Sequence, residues 1–388
     1  MVRTGLDIFI GEKLSLVKNK RVGLVSHSAA ILPDLTDSLE ALMNAGVNIT
    51  ALFGPEHGYQ GAAADAAAVG NSLETRYGLP IFSLYGDIRE PNAEMLQNVD
   101  VLIVDLQDIG TRFYTFITTM VNVLRGAAKN QKEVIILDRP NPISGVNVEG
   151  PMVKAGYESF IGIGGIPVRH GLTIGELALF INDEIGAALT VIEMDDWKRA
   201  MWFDHTGLPW AATSPAMPHL STMTVFPGMC LFEGTNLSEG RGTSLPFEIC
   251  GAPWLNKYEL AQALNELEIN GARFRPIRFM PVAHRFANEE CEGVQVYVTK
   301  RETFEAFSTG LQVVKACREQ NREKFTFLES SWEGAKPHFD LLVGTPQVRE
   351  ELLAGKSVEE IEQVWADELK GFEEKRQKFL IYEQRLKW

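Results

Sequence analysis

The chain has 388 residues, enough for two domains, or one large one, with a substantial core. Its 45% hydrophobic and 23% charged content is that of a globular protein, and no run approaches the ~20 consecutive apolar residues of a membrane span. A net charge of −14, with no compensating Lys/Arg run, argues against nucleic acid as a partner, because phosphate binding needs a basic surface.

The opening "MVRTGLDIFIGEKLSLVKNK" meets Asp7 and Glu12 before any apolar core develops, so it does not read as a secretory signal and a cytoplasmic location is expected. In the first half, short apolar runs alternate with helix-like segments. "RVGLVSH" (21–27), "VNITALF" (47–53), "LPIFSLY" (79–85), "VDVLIVDL" (99–106), "EVIILD" (133–138) and "LTVIEM" (189–194) read as strands. Runs apolar on both faces suit a parallel sheet covered by helices on both sides. Between the first two, Asp37 and Glu40 have capping-box spacing, and Gly46 is placed to end the helix. After the fourth, Phe113, Phe116, Ile117, Met120, Val121, Leu124 and Ala128 mark one helical face, read as core. Thr173 and Glu176 open a further helix with a capping box. The alternation predicts an α/β fold, a Rossmann-like doubly wound parallel sheet.

From about residue 200 the texture changes. Roughly fifty residues through "GAPW" show little periodicity, long for a structureless connection, and their Trp and Phe content points to an ordered functional surface. Beyond it, "KYELAQALNEL", "RFRPIRFMP", "EGVQVYVTK" and "TFEAFSTGLQVVKACREQ" predict a smaller α+β domain. The terminal "SVEEIEQVWADELKGFEEKRQKFLIY" reads as charged helix with a solvated outer face. The expected division is 1–220 and 221–388. Four widely spaced cysteines, Cys230, Cys250, Cys291 and Cys317, lack any C-x-x-C pair and read as buried reduced thiols.

In open parallel sheets ligands bind at the carboxyl ends of the strands. Those ends carry His27, then Glu56 and His57, then Tyr85, then Asp105, Gln107, Asp108 and Arg112, then Asp138, Arg139 and Asn141. Glu56 stands out. Pro55 and Gly58 stiffen its corner, and a carboxyl group partly buried beside a sugar could protonate a leaving oxygen. The alternative is a loop carboxylate capping the next helix. Gly110-Thr111-Arg112 at a helix start suggests an anion site, the alternative being an N-cap with a surface Arg. Arg139 is a possible carboxylate clamp or half of a structural Asp–Arg pair. "EGTNLSEGRGT" offers Asn236, Glu239 and Arg241 on a glycine-rich loop suited to a polyhydroxylated ligand. No G-x-G-x-x-G, G-x-x-x-x-G-K-[ST], nucleophile elbow or H-E-x-x-H occurs, which disfavours dinucleotide, P-loop, serine-hydrolase and zinc chemistry.

Together, "FGPEHGYQG", "FSLYG", "DLQDIGTRFYTF", "LDRPNPISG", "VEGP", "RHGLTIGELA", "LFEGTNLSEGRGTSLPFEICGAPW", "CEGVQV" and "HFDLLVG" resemble the NamZ-like exo-β-N-acetylmuramidases over nearly the whole chain. The resemblance implies a Rossmann-like catalytic domain and a second domain closing a cleft between them. It implies release of terminal, non-reducing N-acetylmuramic acid from peptidoglycan fragments, with no metal or organic cofactor, and the GPEHG glutamate, here Glu56, as a catalytic residue. One position departs: where Ser-Pro-Asn-Met-Pro is expected the chain reads "SPAMP", with Ala216 in place of Asn. The site reading is Glu56 as general acid and Glu239, or second Asp108, as the other catalytic group. Arg112, Arg139 or Arg241 would hold the lactyl carboxylate with His57 as accessory donor, and Gln107, Asn141 and Asn236 would complete the substrate site. The competing functions are a muramyl-sugar binding protein without catalysis and an amidase or esterase on the same fragments.

Overall fold

The computed structural model describes residues 1–61, 70–332 and 334–382. Seven strands, β1 (Val22–Ser26), β2 (Ile49–Gly54), β3 (Ser72–Glu74), β4 (Leu79–Ser83), β5 (Val101–Asp105), β6 (Glu133–Leu137) and β7 (Ala188–Ile192), form one sheet in the order β3-β4-β2-β1-β5-β6-β7. All neighbours are parallel except β3, which lies antiparallel on β4 at the edge. The order reverses beside β1, so the crevice expected of a doubly wound sheet opens at the carboxyl ends of β1 and β5. The six strands expected from apolar runs are present. The short edge strand β3, with two of its three residues exposed, has no such signature.

Helix starts follow their caps. Thr173 accepts from Glu176 N, and the Glu176 carboxylate returns to Thr173 N, completing the box. Only half of the expected box forms at Asp37. Its side chain accepts from Glu40 N at 2.9 Å, but Arg76 takes the Glu40 carboxylate. The helix after β5 begins at Phe116, not at Gly110–Arg112. Thr111 bridges to Arg169, and Arg112 N donates to Val168 O, so this segment pairs as extended chain and its N–H groups do not gather into an anion site.

A second sheet of β8 (Ile249–Ala252), β9 (Ala272–Phe279) and β10 (Cys291–Val298) runs β8-β10-β9, all antiparallel. The aperiodic stretch before it holds a helix, Leu220–Met229, buried from Thr222 to Met229, which is why no amphipathic stripe marks it. One continuous apolar cluster joins Val104 of the first sheet and Phe116 of the helix after it to Phe247, Val294 and Phe339 of the second part. The C-terminal helix Ala366–Arg376 is charged outside, yet its end straps the first sheet. Arg376 donates to the carbonyls of His170, Gly171 and Val146, and Tyr382 Oη donates to Asp138 Oδ2 at 2.6 Å. The four cysteines are free and buried. No helix among the described residues is long and apolar enough to cross a membrane.

Candidate active site

The corner at the end of β2 is built tightly. A Cβ on Gly54 would stand 2.5 Å from Tyr59 N, and Gly58 N closes on Pro55 O at 3.0 Å, so the chain doubles back at once. His57 and Gly58 both take positive φ, 69° and 77°. This turn delivers Glu56, half-buried, to the wall of a cavity of about 560 Å³, where Thr115 Oγ1 donates to Glu56 Oε2 at 2.7 Å. Such a volume matches a small-ligand site.

The opposite wall comes from the second half of the chain. The 3₁₀ turn Cys230–Gly234 carries Glu233, and the loop before β8 carries Glu239 and Arg241. Arg241 Nε and Nη2 donate to Glu233 Oε1 at 3.1 and 2.8 Å, and Nε lies 3.6 Å from Glu239 Oε1. Its guanidinium stacks on the Phe247 ring, 4.9 Å from the centroid. Burial pushes the Glu239 carboxyl up to about 7, with the charge of Glu233 adding to it. Burial also raises Glu233, with Glu56 nearby, while the two guanidinium bonds favour its ionised form. A carboxyl poised near neutral pH inside a cleft suits proton transfer.

A second guanidinium, Arg285, reaches the cavity from the loop between β9 and β10, donating Nη1 to Leu237 O at 3.1 Å. Trp332, 55% exposed, offers an aromatic face at the rim, backed by the His338 ring at 4.1 Å. Flat apolar faces of this kind stack on sugar rings. Among the described residues no three His, Cys, Asp or Glu side chains converge as a metal-binding group.

Of the residues expected from sequence, Glu56, His57, Glu239 and Arg241 line this cavity. The others do not. Arg112 is fully buried behind the wall, bonded to the carbonyls of Pro151, Ile166, Leu342 and Val343, so its charge is committed to holding backbone together. Arg139 is the structural-pair alternative: Nε and Nη2 grip both Asp105 oxygens at 2.5 and 2.9 Å. Gln107 and Arg139 border a separate hollow of about 10 Å³, far too small for a sugar. Gln107 Nε2 bonds the carbonyls of Asp108 and Pro140. Asp108 caps Gly110 N at 2.7 Å and lies 3.7 Å from His170 Nε2, buried away from the cavity. Asn141 stitches Leu172 O to Ile143 N, and Asn236 joins its loop to Lys324 O and Thr326 N. Ala216 is buried, with Ser214 and Met217 on either side facing the cavity.

Among the described cavity residues that the sequence did not single out, Glu233, Arg285 and Trp332 carry the most chemistry. Glu233 opens the quoted "EGTNLSEGRGT" loop and shares its polar, glycine-rich signal. Arg285 sits in "PVAHRFANEE" and Trp332 in "ESSWEG", neither with a local pattern that marks a site.

The sequence matches the N-terminal family model of exo-beta-N-acetylmuramidase NamZ over residues 22–221 and the C-terminal one over 224–382. It is 43% identical to the peptidoglycan beta-N-acetylmuramidase NamZ of Bacillus subtilis (strain 168), over 98% of this chain and 91% of that protein. Crystal structures of two DUF1343 family proteins from Bacteroides fragilis NCTC 9343 superpose with TM-scores of 0.90 and 0.78 at 33% and 29% identity. They cover 98% and 99% of this chain, and 99% and 100% of theirs. The chain belongs to the NamZ exo-β-N-acetylmuramidase family.

Proposed function

We propose that this protein is a glycosidase, an exo-β-N-acetylmuramidase releasing N-acetylmuramic acid from the non-reducing ends of peptidoglycan fragments. Supporting this reading is the meeting of Glu56 from the first sheet with Glu239 and Arg241 from the second half, in one cleft of sugar size. The likeness along nearly the full length of a peptidoglycan muramidase agrees with it.

In the reaction the bond between the anomeric carbon and the bridging oxygen breaks. Glu56 supplies the proton to that oxygen, its carboxyl held in place by the Thr115 hydroxyl. Water supplies the new oxygen on the anomeric carbon, and Glu239 takes the proton that water sheds. A carboxyl held near 7 is well matched to that work at neutral pH, since acid–base catalysis is most effective when pKa and working pH lie close. Glu233 keeps Arg241 in place through its two hydrogen bonds. The rim tryptophan gives the sugar a face to lie on.

The test is Glu56→Gln, assayed by release of free N-acetylmuramic acid from a muramyl–glucosaminide disaccharide, followed by NMR and mass. Loss of one donated proton should lower kcat by about 10²- to 10⁴-fold with the fold unchanged by circular dichroism. Full activity in the variant, or peptide in place of sugar as the product, refutes the proposal.

A further inference from the structure

Muramic acid differs from glucosamine by a lactyl ether that ends in a carboxylate. A site that selects it needs a cation with hydrogen bonds to give, because an anion desolvated without a partner is strongly disfavoured. Among the described residues, two guanidinium groups reach the cavity, those of Arg241 and Arg285. Arg241 is engaged by Glu233 and Glu239 and stacked on Phe247. Arg285, half-buried, gives one N–H to Leu237 O and, among the described residues, makes no other hydrogen bond and no ion pair within 4 Å, while the charges of Glu239 and Glu233 act on it from farther off.

The loop that presents Arg285 is held rigidly. His284, Phe286 and Asn288 all take positive φ, 63°, 59° and 65°, a conformation uncommon outside glycine and, for a bulky side chain such as Phe286, one that its surroundings must enforce. Val282 N bonds Gly242 O at 2.9 Å and Asn288 N bonds Pro281 O at 2.7 Å. A Cβ on Gly242 would stand 2.5 Å from Ala283 O, so the loop rests directly on the segment that bears Arg241. Strain of this kind, in a loop whose central residue is an incompletely bonded arginine in a cleft, marks a pre-organised donor.

We propose that Arg285 receives the lactyl carboxylate and sets the preference for muramyl over glucosaminyl ends. The inference rests on the glycosidase reading and adds to it the residue that recognises the substrate's charge. Arg241 then serves to order the catalytic carboxylates and is not the substrate clamp.

The experiment compares kcat/KM for 4-nitrophenyl N-acetyl-β-muramide and for its lactyl methyl ester, which has the same shape without the charge. Wild type, Arg285→Gln and Arg285→Lys are measured side by side. Arg285→Gln should lower kcat/KM on the free acid about 10- to 100-fold, mainly through KM, the size expected for charged hydrogen bonds. The preference for acid over ester should collapse with it, and Arg285→Lys should restore part of that preference. Equal losses on acid and ester, or an acid-to-ester ratio unchanged by Arg285→Gln, would overturn the assignment while leaving the glycosidase reading intact. Wild-type protein that releases no sugar from either glycoside would overturn that reading, and this inference with it.

Discussion

Replacing Glu233 with Gln tests how the cleft tunes its second carboxyl. Among the described residues, the charges of Glu233, Arg241 and Arg285 act on Glu239. Burial lifts Glu239 to about 7, and the negative charge of Glu233 contributes to that rise. Arg241 Nε lies 3.1 Å from Glu233 Oε1 and 3.6 Å from Glu239 Oε1, so the two oxygens are within about 7 Å of each other. At that separation two unit charges repel by about 2.4 kcal/mol at an effective dielectric of about 20, and by about 0.6 kcal/mol at that of water. Those energies correspond to roughly 0.5 to 2 pH units. Glutamine keeps the oxygen that Arg241 bonds and removes the charge, and it frees Arg241 to favour ionised Glu239, which acts in the same direction. A base works in its ionised form, so kcat/KM in the wild type should rise with pH through about 7. In Glu233→Gln that rise should come 0.5 to 2 pH units lower (about), leaving the variant relatively more active in mild acid. The assay is kcat/KM against pH from weakly acid to weakly alkaline on a chromogenic muramide. A limb that does not move would refute the electrostatic argument. A wild-type rate that falls through neutrality, with the fall abolished in Glu239→Gln, would make Glu239 the proton donor and reverse the roles proposed for the two carboxyls.

Other outcomes follow from the packing. Tyr382→Phe removes the O–H bond to buried Asp138 and leaves Met194 N without the acceptor it now has at 2.9 Å; the loss should be about 2 to 4 kcal/mol in urea unfolding. Burial pushes the Asp138 carboxyl up to about 7, so the folded chain holds a proton that the unfolded one gives up near pH ~4. Its contribution to stability is therefore complete below about 4 and lost as pH rises through about 7, and unfolding midpoints measured across that range should show the decline. Gly310→Ala places a Cβ 2.3 Å from Gly228 O, where the helices Leu220–Met229 and Ala306–Gln320 touch. The overpacking should cost about 1 to 3 kcal/mol in thermal unfolding. It should also raise KM, because the first helix carries Phe226 into the cavity wall.

What could be read from the sequence was what a short stretch decides for itself. Strands such as β1 and β5 announced themselves because the parallel sheet buries both of their faces. The Glu56 corner did so because Pro55 and Gly58 restrict and permit backbone angles locally, whatever lies elsewhere. Arginine is the opposite case. Arg112, Arg139, Arg241 and Arg285 carry one chemistry, and nothing adjacent in the chain says which will meet a ligand. The difference lies in what arrives from afar. Arg112 is surrounded by carbonyls of Leu342 and Val343, more than two hundred residues away, and Arg139 by the carboxylate of Asp105 from the neighbouring strand. Arg241 is claimed by carboxylates of its own loop, whereas Arg285, on a constrained loop of its own, is given a single carbonyl, that of Leu237. A buried guanidinium has five N–H donors to place, so the number of acceptors the fold brings to it decides whether it braces the scaffold or waits for an anion. That number belongs to the assembled cleft, whose walls begin on opposite halves of the chain, and so becomes legible only when the two halves close on each other.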